Sequence, residues 1–147
     1  MKEIHTDIAI DAPPRDVWRV LTDFARFPEW NPLITRASGE LREGATLEIF
    51  VSVPDSTART FRPRVLRVVP ERELVWLGTL AVPGLFNGEH RFRIEPAGDG
   101  RSRFLHGERF TGLLIPVLDA AGVIRKTERG YHMMNEALKR RVEGGDA

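Results

Sequence analysis

The sequence predicts an α+β fold, in which a curved antiparallel sheet of seven strands wraps around a long C-terminal helix. Alternating polar and apolar residues recur in short segments over residues 33–112, and Gly- and Pro-containing turns separate these segments. A helical period returns from about Pro116. Because the connections between consecutive predicted strands are short, we expect an antiparallel meander. The C-terminal helix is the one predicted element long enough to cover the concave face of such a sheet.

The N-terminal segment is predicted to form one strand and two short helices. Lys2–Ile10 alternates in polarity, with Thr6 on the same face as three isoleucines. Pro13 and Pro14 fit the first turn of a helix, where proline is tolerated. A second short helix is expected over residues 25–29. The apolar positions of the first helix recur at three- and four-residue spacing and are Val17, Trp18, Leu21 and Phe24.

Six further strands and one long helix complete the prediction. The strands are predicted at Ile34–Leu41, Thr46–Val53, Ala58–Val69, Leu74–Leu80, Gly88–Glu95 and Ser102–Gly112. The buried stripe of the helix is predicted to consist of Val117, Ala121, Ile124, Tyr131, Met134, Leu138 and Val142. Gly122 interrupts this pattern, so we expect a bend or break there. Gly144 and Gly145 are expected to end the helix.

Composition limits the classes of function. The chain has 147 residues with 22 Lys plus Arg and 21 Asp plus Glu, which gives a net charge of +1 and no electrostatic reason to expect a nucleic-acid partner. It has no cysteine, which excludes disulfides and thiol nucleophiles. No apolar run is long enough for membrane insertion. We therefore expect a single cytoplasmic domain over residues 1–147. No cofactor-binding motif occurs, and no cofactor is predicted.

A series of short motifs runs in order along the chain: Ile10-Asp11-Ala12-Pro13-Pro14, Phe27-Pro28-Glu29-Trp30-Asn31-Pro32, Leu74-Val75-Trp76, Glu89-His90-Arg91-Phe92 and Glu108-Arg109-Phe110-Thr111-Gly112. This series resembles the START-like or SRPBCC superfamily, which has the helix-grip fold and includes the polyketide cyclase/dehydrase and lipid-transport proteins. The resemblance spans almost the whole chain. It implies a deep, mostly apolar cavity between the sheet and the last helix, and binding of a hydrophobic ligand there.

The alternation of two strands predicts a buried pair of polar side chains. His90 lies on the same face as two apolar residues of its strand, and Glu108 shares a face with two phenylalanines of the next strand. A five-residue loop, 97–101, would pair Pro96 with Ser102 and therefore His90 with Glu108. A buried carboxyl group must be either protonated or paired. The sequence thus predicts an imidazole and a carboxyl group in contact within an apolar surface.

Three interpretations of this pair stay open. It is a structural hydrogen-bonded pair that specifies strand register, a polar anchor for the head group of an apolar ligand, or a general acid/base pair. His106 is a weaker candidate of the same kind. A metal site built from His90, His106 and Glu108 is disfavoured, because the predicted pairing of Phe92 with His106 staggers the two histidines. No metal is predicted.

Other residues are candidates for contact with a ligand. Of Tyr131 and His132 on the last helix, one should face inward and the other outward. Trp30 fits either a core lid or a ligand contact, and Asn31 either a cap or a cavity-facing group. The full set of predicted ligand-binding residues is Trp30, Asn31, Phe61, Trp76, His90, Phe92, His106, Glu108, Phe110, Tyr131 and Met134.

Two surface features have alternative interpretations. The arginines of the fourth predicted strand form a basic strip that we expect to be a solvated outer face, and they are Arg59, Arg62, Arg64 and Arg67. The apolar loop 80–86 and its expected neighbour, residues 113–116, fit a cavity portal, a partner patch or plain packing.

These observations favour a protein that binds, carries or sequesters a small hydrophobic molecule such as a lipid, an isoprenoid or a polyketide-like compound. The alternative is a cofactor-independent cyclase/dehydrase-like enzyme with His90 and Glu108 as its acid/base pair. A second alternative is a protein-interaction module that docks through the 80–86 loop or the C-terminal helix. The sequence also leaves open a homodimer formed through exposed strand edges or apolar loops.

Overall fold

In the part of the chain that the structure describes, eight strands form two antiparallel sheets around a long helix. The computed structural model describes residues 1–80, 82 and 84–144. Sheet A contains five strands in the order β1-β8-β7-β6-β5, which are β1 (Lys2–Ile10), β5 (Arg64–Val69), β6 (Glu73–Thr79), β7 (Asn87–Pro96) and β8 (Ser102–Thr111). Sheet B contains β2 (Ile34–Ser38), β3 (Glu48–Val51) and β4 (Arg59–Phe61), in that order. The helices are α1 (Pro14–Thr22), α2 (Phe27–Trp30), α3 (Ile115–Ala120) and α4 (Val123–Glu143), with a 3-10 turn at Phe24–Arg26.

The prediction of seven strands in one sheet is wrong. The predicted strand Ala58–Val69 is divided into β4 and β5 at Arg62 and Pro63, because proline has no N–H to donate to the ladder of a central strand. Each part pairs with a different neighbour. An isolated bridge between Thr46 and Arg64 connects the two sheets. The α+β class and the antiparallel meander are confirmed.

The long C-terminal helix is also confirmed, with a break at Gly122. This residue has a φ of +81° and precedes α4, so the predicted stripe is divided between two helices. Val117 lies on α3 and is 64% exposed, contrary to its predicted place in the buried stripe. Its companion at the break, Ala121, is exposed as well. From Ile124 onward the stripe is buried as predicted.

The core lies between the concave face of sheet A and α4. At Gly130, a side chain would come within 2.8 Å of Leu33 Cδ1 and 3.3 Å of Pro54 Cδ. This glycine therefore lets the segment before β2 pack closely on α4, which offsets its cost within a helix. Polar contacts hold the end of the helix, where Arg141 binds Glu29 at 2.6 Å and Glu143 accepts a bond from the Asp11 amide at 2.7 Å.

The outer surface carries the predicted basic strip. Arg59, Arg62, Arg64 and Arg67 are all exposed, as expected for a solvated face. Arg62 pairs with Glu48 at 2.9 Å, and Arg67 pairs with Glu73 at 2.7 Å. Among the described residues, no helix is long and apolar enough to cross a membrane.

Candidate functional site

The pairing of β7 with β8 places an imidazole opposite a carboxyl group on the concave face. The two strands pair from Asn87 with Thr111 to Pro96 with Ser102, and His90 is directly opposite Glu108. This is the predicted register, with the predicted five-residue loop. His90 is 7% exposed, and the side chain of Glu108 is 12% exposed. His90 Nδ1 lies 3.7 Å from Glu108 Oε1.

Helix α4 adds a phenol to this pair. Tyr131 is buried, whereas its neighbour His132 is exposed, which resolves the predicted alternative. The Tyr131 hydroxyl donates a hydrogen bond to Glu108 Oε1 and lies 3.4 Å from His90 Nδ1. The Glu108 carboxyl group therefore contacts Tyr131 as well as His90, and the three polar groups lie next to one another within an aromatic surface.

His106 extends the cluster on the other side of His90. The two Nε2 atoms are 2.7 Å apart, and the rings stack with centroids separated by 4.9 Å. The predicted stagger is confirmed, because His90 is opposite Glu108 and His106 is opposite Phe92. Phe92 does pair with His106, but diagonal neighbours on one face of a sheet lie within reach of long or aromatic side chains.

Sequence analysis missed two members of the network, Asn135 and Thr6. Asn135 Oδ1 lies 2.8 Å from His106 Nδ1, and Asn135 Nδ2 donates to Thr6 Oγ1 at 2.8 Å. The Thr6 hydroxyl donates to the main-chain oxygen of His106 at 2.7 Å. A signal for both was present: Thr6 lies on the inner stripe of β1, and Asn135 lies four residues after Tyr131 on one helical face.

Burial shifts the pKa values of Glu108, His106 and His90. It raises the pKa of Glu108 to about 8. It lowers the pKa of His106 to about 3, opposed by the hydrogen bond to Asn135 and assisted by repulsion from His132. The pKa of His90 is held well below its usual value by burial and by the neighbouring His106. Near neutral pH the site therefore contains a carboxylic acid and two neutral imidazoles.

Aromatic rings surround this polar cluster. The Trp76 ring lies 5.3 Å from His90 and 5.1 Å from Phe92, which stacks on His90 at 4.4 Å. The rings of His106 and Tyr131 are nearly parallel, with centroids 4.1 Å apart. Met134 is fully buried on α4, one turn beyond Tyr131. Trp76, His90, Phe92 and His106 thus lie together on the concave face of sheet A, and Tyr131 packs against the two histidines from α4.

Three other predicted ligand contacts lie on different elements. Trp30 packs edge-on against Phe27, with ring centroids 5.3 Å apart. Asn31 caps the chain between α2 and β2, where its Oδ1 accepts bonds from the amides of Leu33 and Ile34 at 3.0 and 2.9 Å. Within the described part of the chain, its buried Nδ2 has no hydrogen-bond partner. Phe61 is half-buried in β4 of sheet B.

A glycine makes room for the Glu108 carboxyl group. Gly88 precedes His90 by two residues on the same face of β7, and a Cβ atom there would overlap Glu108 Oε2. The Phe86 ring borders this notch, with Cε1 at 3.5 Å from the same point. Phe86 also packs against Phe110, which is buried, at a centroid separation of 5.9 Å.

Two apolar loops lie beside each other near this notch, as expected. The amides of Leu113 and Leu114 donate to the carbonyl oxygens of Gly84 and Leu85, each at 3.0 Å. Leu113 is 79% exposed. Residues 81 and 83 of the predicted apolar loop lie outside the described residues. The role of these loops as a portal or a partner patch stays a prediction.

Two surface cavities stand out in the described part of the chain. One of about 350 Å³ opens on the outer face of sheet A beside Gly107. Another of about 330 Å³ lies between the 3-10 turn and sheet B. The first is bordered by Thr6, His106 and Glu108 of the cluster, but neither is lined by Tyr131, Trp76 or Phe92. The rings of His90, Phe92, His106 and Tyr131 pack at centroid separations of 4.1–4.9 Å, so a ligand can enter between them only if these rings separate.

The polar atoms of the cluster do not converge on a single point as metal ligands do. His90 directs Nε2 toward His106 and Nδ1 toward Glu108. Over residues 1–80, 82 and 84–144, no group of three or more His, Asp or Glu side chains could hold a metal ion. The chemistry that the arrangement itself offers is proton donation by Glu108 and proton acceptance by His90.

The fold and the chain agree with those of known proteins. Residues 1–143 match the family model described as "Polyketide cyclase / dehydrase and lipid transport". No curated protein matches the sequence. The Zhui aromatase/cyclase from Streptomyces sp. R1128 superposes with a TM-score of 0.78 at 17% identity, covering 97% of this chain and 93% of its own.

Two further solved structures share the fold. A START superfamily protein from Mycobacterium smegmatis has a TM-score of 0.73 at 19% identity, with 97% of both chains covered. The di-domain aromatase/cyclase BexL from the BE-7585A biosynthetic pathway has a TM-score of 0.76 at 18% identity, covering 97% of this chain. The match spans 47% of BexL, or about half its length. With its fold, its helix α4 and the family match over residues 1–143, this chain belongs to the polyketide cyclase/dehydrase and lipid transport family.

Proposed function

We propose that the protein binds a small, largely apolar molecule on the concave face of sheet A and holds its one polar group at Glu108. The observation that carries this proposal is the meeting of Glu108, His90 and Tyr131 inside an aromatic surface. The family described by its model and the aromatase/cyclases of the same fold support a hydrophobic ligand.

The aromatic wall supplies affinity. Rings of Trp76, Phe92 and Tyr131 offer apolar area, and each Å² removed from water contributes roughly 25 cal/mol. Separating these rings to admit a ligand has a cost, because they pack at 4–5 Å from each other and from the two histidines. We therefore expect binding to replace contacts among the rings with contacts to a flat or ring-containing ligand.

The carboxylic acid supplies orientation. Because burial raises the pKa of Glu108 to about 8, the group is protonated near neutral pH and can donate a hydrogen bond. A carbonyl or hydroxyl oxygen of the ligand would accept this bond. A ligand without a polar atom would offer no acceptor for the Glu108 proton. A carboxylate ligand would place a buried charge beside a group that burial keeps neutral.

The experiment compares two bicyclic compounds that differ by one oxygen, 1-tetralone and tetralin. Binding is measured by isothermal titration calorimetry at pH 7 to the wild-type protein and to Glu108→Leu. We expect 1-tetralone to bind the wild type roughly fivefold more tightly than tetralin, as one hydrogen bond predicts. In Glu108→Leu, this preference should be lost while tetralin still binds.

Glu89→Gln is the matched control, because Glu89 lies next to His90 on the opposite face of β7. It should retain the wild-type preference. Equal affinities of the wild type for both compounds, or an unchanged preference in Glu108→Leu, would contradict the proposed role of Glu108. Absence of binding by a panel of flat apolar compounds would contradict a ligand site on this face.

A second candidate function rests on two neighbouring groups, Glu108 and His90, whose pKa values are shifted in opposite directions. A neutral acid, Glu108, faces an unprotonated base, His90, at 3.7 Å. Paired groups whose environments shift their pKa values in opposite directions are typical of acid/base sites. The cluster could therefore protonate an oxygen of a bound polyketide-like compound and remove a nearby proton.

Turnover distinguishes this candidate from simple binding. Glu108→Gln and His90→Gln keep polar groups of similar size but remove the acid and the base, respectively. If the protein is an enzyme, both variants should bind substrate and lose turnover by roughly 10²-fold or more. Full turnover in either variant would remove the pair from the mechanism and leave the binding function.

A further inference from the structure

The hydrogen-bond network assigns a direction to each of its bonds, beginning at Thr6. The Thr6 hydroxyl has one proton and lies 2.7 Å from the main-chain oxygen of His106, which can only accept. The Thr6 hydroxyl therefore donates its proton to this main-chain oxygen. Thr6 Oγ1 can then only accept a bond from Asn135. The Asn135 atom 2.8 Å away must therefore be the amide nitrogen Nδ2. Thr6 thus fixes the orientation of the Asn135 amide.

The orientation of the Asn135 amide determines which nitrogen of each imidazole is the donor and which is the acceptor. With Nδ2 toward Thr6, Asn135 Oδ1 faces His106 Nδ1 at 2.8 Å, so this nitrogen carries a proton. A neutral imidazole has one N–H, which leaves His106 Nε2 as an acceptor. The facing atom, His90 Nε2 at 2.7 Å, must then donate. His90 in turn has no proton on Nδ1.

We propose that Thr6 and Asn135 are positioning residues that hold His90 as the Nε2–H tautomer, so that its bare Nδ1 faces Glu108 and Tyr131. Neither residue touches the proposed ligand. They act through His106, over a path that runs from β1 through α4 and β8 to β7. In a structural role alone, the same bonds would stabilise the protein without favouring one tautomer of His90.

This assignment deepens the proposed function and rests on it for the identity of the ligand. The site then presents an acceptor, His90 Nδ1, beside a donor, the acid of Glu108. A ligand hydroxyl, whether of an alcohol, a phenol or an enol, can donate to the first and accept from the second. A ketone of the same skeleton can use Glu108 alone. The preferred ligand class is therefore a hydroxyl compound.

The tautomers are measured in the free protein by long-range ¹H–¹⁵N correlation NMR of histidine at pH 7. We expect an Nε2–H pattern for His90 and an Nδ1–H pattern for His106. An Nδ1–H pattern for His90 in the wild type overturns the inference. This measurement requires no ligand, so its result does not depend on the proposed function.

Two variants of Thr6 test the positioning role. Thr6→Val has nearly the same shape but lacks the hydroxyl, so the Asn135 amide can turn and offer Nδ2 to His106. We expect mixed or reversed tautomers for both histidines. Thr6→Ser keeps the hydroxyl and should restore the wild-type pattern. A folded Thr6→Val with wild-type tautomers overturns the inference, and Asn135→Leu repeats the test from α4 with the same expectation.

Ligand preference connects the tautomer to binding. The wild type and Thr6→Ser should bind 1-tetralol roughly fivefold more tightly than 1-tetralone, and Thr6→Val should lose this ratio. If both histidines have the expected tautomers but neither compound binds, the proposed function is contradicted and the positioning role is still supported. Binding of both compounds with the opposite tautomer of His90 would overturn the positioning role and leave the proposed function supported.

Discussion

Gly88 and Glu108 fit together on the concave face, because the carboxyl group of Glu108 occupies the space that a side chain at position 88 would fill. A Cβ atom at Gly88 would overlap Glu108 Oε2. The two residues belong to adjacent strands, and Gly88 is directly opposite Phe110, two residues after Glu108. The absence of a side chain in β7 thus positions the acid beside Tyr131 and His90.

Gly88→Ala should therefore displace Glu108 and destabilise the protein by about 1–3 kcal/mol, as is usual for overpacking. Gly78→Ala is the matched control in β6, because the nearest atom to its added Cβ would be 3.9 Å away. Urea unfolding measures both. The Gly88→Ala cost should shrink in a Glu108→Ala background, and an undiminished cost in the double variant would contradict the proposed fit.

Glu108 should make the protein less stable as pH rises. Its pKa is about 8 in the folded protein against a usual value of 4.5. The folded form therefore retains a proton that the unfolded chain releases, and stability is lost between pH 4.5 and 8. Glu108→Gln should gain stability relative to the wild type over this range, by a few kcal/mol at pH 8 in order of magnitude.

Urea unfolding of Glu108→Gln and wild type at half-unit steps of pH checks this prediction. Glu89→Gln, on the outer face of β7, serves as the control and should follow the wild-type profile. Parallel profiles for Glu108→Gln and wild type from pH 4.5 to 8 would show that Glu108 does not hold a proton in the folded protein.

His106 should make the protein less stable as pH falls. Its pKa is about 3 in the folded protein against 6.5 for an ordinary histidine, so the unfolded chain takes up a proton first. Its contribution to stability is complete above pH 6.5 and is lost as pH falls toward 3. His106→Phe retains a ring stacked on Tyr131 but cannot titrate.

The slope of stability against pH tests this effect separately from the cost of the lost hydrogen bonds. Between pH 6 and 4, the slope for His106→Phe should be smaller than that of wild type by up to one proton, or about 1.4 kcal/mol per pH unit. Equal slopes would mean that His106 is protonated in the folded protein, and the direction assigned to its bond with His90 would fail.

Asn31 should contribute through its oxygen alone. Its Oδ1 accepts two main-chain bonds, and none of the described residues is a hydrogen-bond partner of its buried Nδ2. Asn31→Ala removes both bonds and should cost about 1–3 kcal/mol. Asn31→Asp keeps two acceptor oxygens and should remain closer to wild type in thermal unfolding. A smaller loss for Asn31→Ala than for Asn31→Asp would contradict this account of the cap.

Local patterns were sufficient to predict the centre of the site. Alternation assigned His90 and Glu108 to inner faces, and the length of the 97–101 loop set the register that pairs them. The inward position of Tyr131 followed from helical spacing as one of two alternatives. These relations involve residues of adjacent strands or of one helix, so sequence spacing determines them.

The contacts that depend on tertiary packing were not predicted. The separation into sheets A and B depends on Pro63 and on the strands with which β4 and β5 pair, which are β3 and β6, respectively. The bond between Asn135 and Thr6 joins α4 to β1 across 129 residues, and no local pattern sets that distance. Trp30 and Phe61 were predicted to contact a ligand, but Trp30 lies on α2, packed against Phe27, and Phe61 lies on β4 of sheet B.

The central claim is that a ligand binds between α4 and the concave face of sheet A. Its most direct test is an isotope-filtered NOE experiment with ¹³C-labelled protein and unlabelled 1-tetralone. We expect NOEs from the ligand to the side chains of Tyr131, Trp76 and Phe92. Bound ligand that shows NOEs only to residues lining the outer cavity beside Gly107, such as Leu105, would contradict the claim.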